Sequence, residues 1–167
     1  NPDHLKIMPG LSTVIASTEA EARARFDELN AYSGEAGLVQ QLAFRIGLPP
    51  DELDLDAPLP WERIGPVSEF ERGSHGFLEA QLNLARRENL TIRELSRRIL
   101  VGHRLLVGTP EQVADTLEHW FLAGAADGFN IMPDMFPSGV EVFVEQVVPL
   151  LQQRGVFRRE YSGSTLR

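Results

Sequence analysis

The stretch Val107–Pro133, VGTPEQVADTLEHWFLAGAADGFNIMP, decides how the rest of the chain is read. It has the form of a strand end, a capped helix, a small-residue turn and a second strand. The run before it, HRLLV, is too apolar for a surface loop, and Gly108 can turn the backbone off its end. Thr109 stands at a helix N-cap, Pro110 takes the first helical position, and Gln112 follows three residues after the cap. Together they predict a capping box on a backbone whose φ is already set. Glu111 adds an anion in the first turn, where the helix dipole favours one. Val113, Leu117, Trp120 and Phe121 share one helical face. Gly124 ends the helix, and Gly128 leads into a run to Met132 with strand character. A strand, a helix and a strand joined by short loops predict a βαβ unit whose strands run parallel.

Upstream the pattern recurs. His4–Met8 alternates polar and apolar residues, and Thr13–Ala16 extends it as a strand ending in a bend. Thr18 and Glu21 form a second capping box, opening a helix with Ala22, Phe26 and Leu29 on one face. Leu38, Leu42 and Ile46 predict a short helix over 35–46, ended by Gly47. From Leu48 to Ser74 the periodicity stops. Five prolines (49, 50, 58, 60, 66) and the acids Asp51, Glu52, Asp54 and Asp56 occupy this stretch, which is long for a connection and is expected to be functional or mobile. Helical spacing resumes over 76–88. A third capping box, Thr91 with Glu94, opens a helix that Gly102 should end. After Pro133 comes a turn to Ser138. A helix then follows with Val140, Phe143, Val147 and Leu151 apolar, kinked near Pro149 and capped by Gly155.

The order β-α, helical insertion, β-α, β-α is an α/β architecture of parallel strands under helices. Three strands close no barrel, and a complete (β/α)8 barrel needs roughly 200 residues or more. The chain is therefore expected to be one partial domain over 1–167, with an insertion at 47–102.

Composition narrows the chemistry. The 167 residues carry a formal net charge of −8 and no cysteine. Disulfides, thiolate nucleophiles and cysteine metal sites are excluded, and an affinity for nucleic-acid phosphates is not expected. No apolar run approaches the ~18 residues of a membrane span, and no secretory pattern opens the chain. A cytoplasmic location is the expectation. The four histidines lack ligand spacing, so no metal site is expected.

Three runs carry a family resemblance: GTPEQVADTLEHWFLAGAADGFNIMP, VVPLLQQRGVFRREYSGSTLR and PDHLKIMPGLSTVIASTEAEA. Together they resemble the bacterial-luciferase-like flavin-dependent monooxygenases, in the branch of nitrilotriacetate, dibenzothiophene-sulfone and long-chain alkane monooxygenases. The likeness covers nearly the whole chain and is weakest between Leu48 and Gly73. It implies the C-terminal part of a (β/α)8 barrel, about strands 6 to 8, with the proline-rich segment as an insertion that closes over a pocket. It also implies a two-component reaction in which reduced FMN, delivered by a separate flavin reductase, and O2 oxygenate a small organic substrate. The N-terminal part of the barrel and further copies in a homo-oligomer are the implied protein partners. Most flavin contacts of such enzymes lie on earlier strands, so the chain alone should not work as an enzyme. A deazaflavin-dependent oxidoreductase of the same fold and a non-catalytic association module are the alternatives.

Barrel sites lie at the carboxyl ends of strands. His75, where the insertion rejoins the helical part, is the catalytic candidate, because an imidazole can donate or accept a proton near neutral pH; a plain loop histidine is the alternative. Trp61, Phe70 and Phe77 could wall an apolar substrate pocket or only pack locally. Met132 and Phe136, at and just past the last strand, are pocket candidates against a core role. Gly108-Thr109 could hold an anion or serve only as a cap. Asn130, polar inside a strand, must find hydrogen bonds if buried.

Overall fold

The computed structural model describes residues 4–67, 74–99, 103–161 and 163–164. Phe70, the helix-ending Gly102 and much of the YSGSTLR tail lie outside the described residues. Residues 1–27 and 103–167 form one compact unit, and residues 28–102 form another.

The first unit holds three parallel strands: β1 (Gly10–Ile15), β2 (Arg104–Gly108) and β3 (Asn130–Pro133). Their order is β2-β1-β3. Leu11 lies opposite Arg104 and Ile15 opposite Gly108 on one side of β1; Gly10 lies opposite Asn130 and Thr13 opposite Pro133 on the other. All residues from Leu11 to Ile15 are buried, as a central parallel strand requires.

Two features differ from the expectation. The strand starts at Gly10, whereas the alternating run His4–Met8 leaves Leu5, Ile7 and Met8 exposed. The continuous buried run LSTVI, lacking any alternation, is the real strand signal. The second difference is strand order. Consecutive barrel strands are neighbours, which would put β2 in the centre; here β1 holds it. The β1–β3 pairing is reinforced at both ends. Asn130 N–H donates to Pro9 O (3.0 Å), its side-chain amide donates to Met8 O (3.0 Å), and Asp134 N–H donates to Thr13 O (3.1 Å). Asn130 is exposed rather than buried, and its side-chain amide nonetheless bonds to a backbone oxygen.

Helix α1 (Glu19–Ser33) follows β1, and its capping box is present. Thr18 N–H donates to Glu21 Oε2 (3.1 Å), and Glu21 N–H donates to Thr18 Oγ1 (3.2 Å). In the second unit come α2 (Glu35–Ile46), α3 (His75–Glu88) and α4 (Ile92–Ile99). Gly47 caps α2 at φ 71°, a left-handed backbone that suits glycine. Leu42, Ile46, Leu82 and Leu95 form the core of this unit. The proline-rich segment is organised by short 3-10 turns at Pro50–Glu52 and Trp61–Arg63, and by Leu53 and Leu59 sunk into that core. Arg93 ties it down through Asp56 (2.9 Å) and Glu35.

Back in the sheet unit, α5 (Pro110–Leu122) packs on one face of the sheet beside a final helical stretch. That stretch is α6 (Ser138–Val142), a π turn over Phe143–Val147, and α7 (Val148–Gln153). The wide turn ends just before Pro149, which has no N–H to continue an α pattern; this is the irregularity the proline predicts. Leu11, Ile15, Val113, Ala114, Leu117, Val147 and Leu151 make the core. Phe121, read from the sequence as part of the buried face, is 43% exposed, because it stands in the last turn of α5, beyond the core residues Val113, Ala114 and Leu117.

The capping box of α5 is complete: Thr109 N–H donates to Gln112 Oε1 (2.9 Å) and Gln112 N–H donates to Thr109 Oγ1 (3.4 Å). Thr109→Ala should lower unfolding free energy by about 1 kcal/mol in urea titrations, and Leu117→Ala by about 2–5 kcal/mol. Equal effects of the two would show that α5 is held by its cap rather than by its packing.

Candidate active site on the sheet

Leu11, Ile15, Leu106 and Ile131 pack toward the helical layer. Because side chains alternate along a strand, Ser12, Val14, Leu105, Val107, Asn130 and Met132 face the other way. Register sets Ser12 between Leu105 and Met132, one row across all three strands. This row is apolar except for one hydroxyl. Ser12 Oγ is buried and has no hydrogen-bond partner, and the same holds for Thr13 Oγ1 on the opposite face. Two adjacent hydroxyl residues inside GLSTVI were the available signal for this feature, and composition-level reading passes over them.

The carboxyl ends of the strands form the rim. Asp134, directly after β3, has a side chain only 4% exposed and accepts from Arg25 Nε of α1 at 2.5 Å. Gly139 of α6 lies against it so closely that a Cβ there would fall on Asp134 Oδ1 and 2.9 Å from Pro133 Cβ. Across the rim, Gln112 Nε2 donates to Glu19 (3.4 Å), linking the starts of α1 and α5. Glu19 also accepts from Arg23 at 2.7 Å, and that bond, with Gln112 second, holds its carboxyl below the ordinary 4.5. Neither the Arg25–Asp134 pair nor Gly139 was singled out from the sequence, since the partners are 109 residues apart.

The candidates divide between the units. Met132 is half-buried on β3 in the row with Ser12, and Phe136, 76% exposed, follows on the turn. His75 and Phe77 lie on the first turn of α3 in the helical unit, both exposed. Trp61 is half-buried against that unit's own core, with the Arg86 guanidinium 4.5 Å over its ring. Thr109 serves α5 as its cap. Among the described residues no group of three His, Asp or Glu is placed to hold a metal ion, and no helix is long and apolar enough to cross a membrane.

No family model matches the chain. Curated relatives do. It is 42% identical over 174 residues to N-acetyl-S-(2-succino)cysteine monooxygenase of Bacillus subtilis (strain 168), covering 100% of this chain and 38% of that protein. It is 45% identical over 170 residues to nitrilotriacetate monooxygenase component A of Aminobacter aminovorans, covering 99% and 36%. Among solved structures it matches a riboflavin lyase crystallised with modified FMN and riboflavin. That match has a TM-score of 0.66 and 30% identity, and covers 99% of this chain and 35% of the lyase. The chain thus spans little more than a third of the length of the relatives it matches. The resemblance read from the sequence holds: the chain is related along its whole length to the luciferase-like flavin-dependent monooxygenases. Its small parallel sheet and helices correspond to about a third of their (β/α)8 barrels.

Gly139→Ala should destabilise the chain by about 1–3 kcal/mol by pushing the added methyl onto Asp134 and Pro133. Glu19 has a folded-state pKa below 4.5, so its contribution is complete above pH 4.5 and is lost as pH falls through the lower folded value. Glu19→Gln should flatten the loss of stability in that acid range. An unchanged slope would remove Glu19 from the rim's acid response.

Proposed function

We propose that this chain is the C-terminal segment of a two-component monooxygenase that uses reduced FMN and O2 to oxygenate a small organic substrate. The flavin would be reduced by a separate reductase, and the enzyme would act in the cytoplasm as a homo-oligomer. The observation that carries this reading is the match of the entire chain to about a third of enzymes named as monooxygenases. The presence of modified FMN in the structurally similar riboflavin lyase supports the choice of flavin.

The residues present suit one part of a flavin and not another. The Leu105–Ser12–Met132 row is apolar but for one buried hydroxyl without a hydrogen-bond partner, a composition that would suit the ring system and one of its polar edges. The start of α5 does not fit the phosphate. Thr109 N–H and Gln112 N–H are engaged in the capping box, and Pro110 has no N–H. At this helix end a phosphate would find few free donors, and the proposed N-terminal part of the barrel would hold it instead. Bound flavin supplies the electrons that activate O2. The chain's own residues supply a dry surface, and Ser12 a hydrogen bond. In this reading Met132 and Phe136 are what the sheet unit offers a substrate pocket; Trp61 and Phe77 are the apolar pocket candidates of the helical unit, and His75 is its candidate for handling a proton.

An anaerobic titration with reduced FMN tests this. The chain alone should bind weakly or not at all, and a protein completed with the N-terminal barrel strands should bind stoichiometrically. A completed protein with no affinity for reduced FMN overturns the reading. In the completed enzyme, His75→Ala should lower kcat by about 10²-fold or more if it handles the proton. A change under about twofold would return His75 to a structural role.

A further inference from the structure

A cavity of about 510 Å³ lies between α5, the final helical stretch and the approach to β3. It is at the amino ends of the strands. Met8 precedes β1, Phe129 precedes β3, Phe121 stands near the end of α5, and Phe157 and Arg158 follow α7. The carboxyl ends, where barrel chemistry takes place, are at the opposite end of the sheet. The volume falls within the roughly 300–1,000 Å³ of small-molecule pockets.

The walls are apolar: Met8, Phe121, Phe129, Phe143 and Phe157 line them. One wall is backed firmly, since Trp120 lies 6.3 Å from Phe129 and Arg104 lies 5.0 Å over Trp120. Among the described residues, two charged groups line the space, Asp127 and Arg158. Asp127 is already engaged, accepting from Ile7 N–H (2.9 Å) and Lys6 Nζ (3.2 Å). The Arg158 backbone carbonyl accepts from Gln152 Nε2 (2.9 Å), while its side chain meets rings. Its guanidinium lies 5.5 Å from the Phe157 ring and 5.0 Å from the Tyr161 ring, and among the described residues it forms no ion pair. An aromatic sleeve holds the cation in place while leaving its in-plane N–H donors open to a carboxylate.

We propose that this cavity binds a small amphiphilic anion, its apolar body against the phenylalanines and its carboxylate on Arg158. The charge balance selects the sign. A cationic amphiphile would meet a carboxylate already paired with Lys6 and an unpaired guanidinium, and a neutral one would leave Arg158 unused. This site is distinct from the proposed flavin site and does not depend on it.

Isothermal titration of the chain with decanoate, 1-decanol and decyltrimethylammonium tests the assignment. Decanoate should bind one per chain and more tightly than the other two. Arg158→Gln should weaken decanoate about fivefold and leave 1-decanol unchanged. Val148→Trp, which fills the cavity from α7, should abolish binding of both, with circular dichroism confirming the fold. The proposal fails if decanoate does not bind, if the cation binds equally well, or if Arg158→Gln changes nothing. Sedimentation in parallel covers the remaining occupant: a dimer that Val148→Trp dissociates, in a chain that binds no decanoate, would assign this face to a second copy and overturn the proposal.

Discussion

The pairing of β1 along both of its edges is the constraint from which the sheet unit follows. A strand hydrogen-bonded on both sides has no backbone left for water, and in a parallel sheet its side chains are also covered on both faces. Leu11–Ile15 is buried throughout for this reason. One face is closed by α5 and the final helical stretch, whose Val113, Ala114, Leu117, Val147 and Leu151 meet Leu11 and Ile15. The other face carries Ser12, whose hydroxyl has lost water without gaining a protein partner. A polar atom so placed costs stability on the order of 1–3 kcal/mol.

Around this centre the connections are short and tightly terminated. Capping boxes at Thr18, Thr91 and Thr109 give orphan helix donors local partners, so each helix starts at a defined residue. At the carboxyl ends of the strands the starts of α1 and α5 become the rim of the candidate site. The buried Asp134 carboxylate is held by Arg25 and admitted only because Gly139 leaves room for it. An ion pair of this kind contributes position more than net stability, since desolvation offsets most of its attraction. The same capping that orders α5 also withdraws the donors a phosphate would need, so order and anion binding compete at that helix end.

The helical unit shows how a segment without periodicity becomes ordered. Leu53 and Leu59 sink into the core of α2, α3 and α4, and prolines restrict the chain between them. The acids at 51–56 are not a catalytic cluster in this arrangement. Asp56 pairs with Arg93, which holds its carboxyl below the usual range, and Asp54 accepts the Asp56 N–H in a local turn.

Most of the local architecture was legible in residue order, because caps, turns and helical faces are set by neighbours within four positions. The βαβ stretch from Val107, its capping box, the limits of α2 and the break before Pro149 are all of this kind. The resemblance to flavin-dependent monooxygenases was equally legible, being carried by contiguous runs. What tertiary structure alone decided concerns partners far apart in the chain. Gly10 rather than His4 begins β1, because burial between two other strands, not alternation, defines a central strand. β1 rather than β2 holds the centre, because Pro9, Met8 and Thr13 accept hydrogen bonds from residues at the two ends of β3. The Arg25–Asp134 pair, the Ser12 row and the cavity beneath Arg158 follow from those pairings. No local rule reaches across a hundred residues, and for that reason short-range physics determined the elements while long-range hydrogen bonding and burial determined the site.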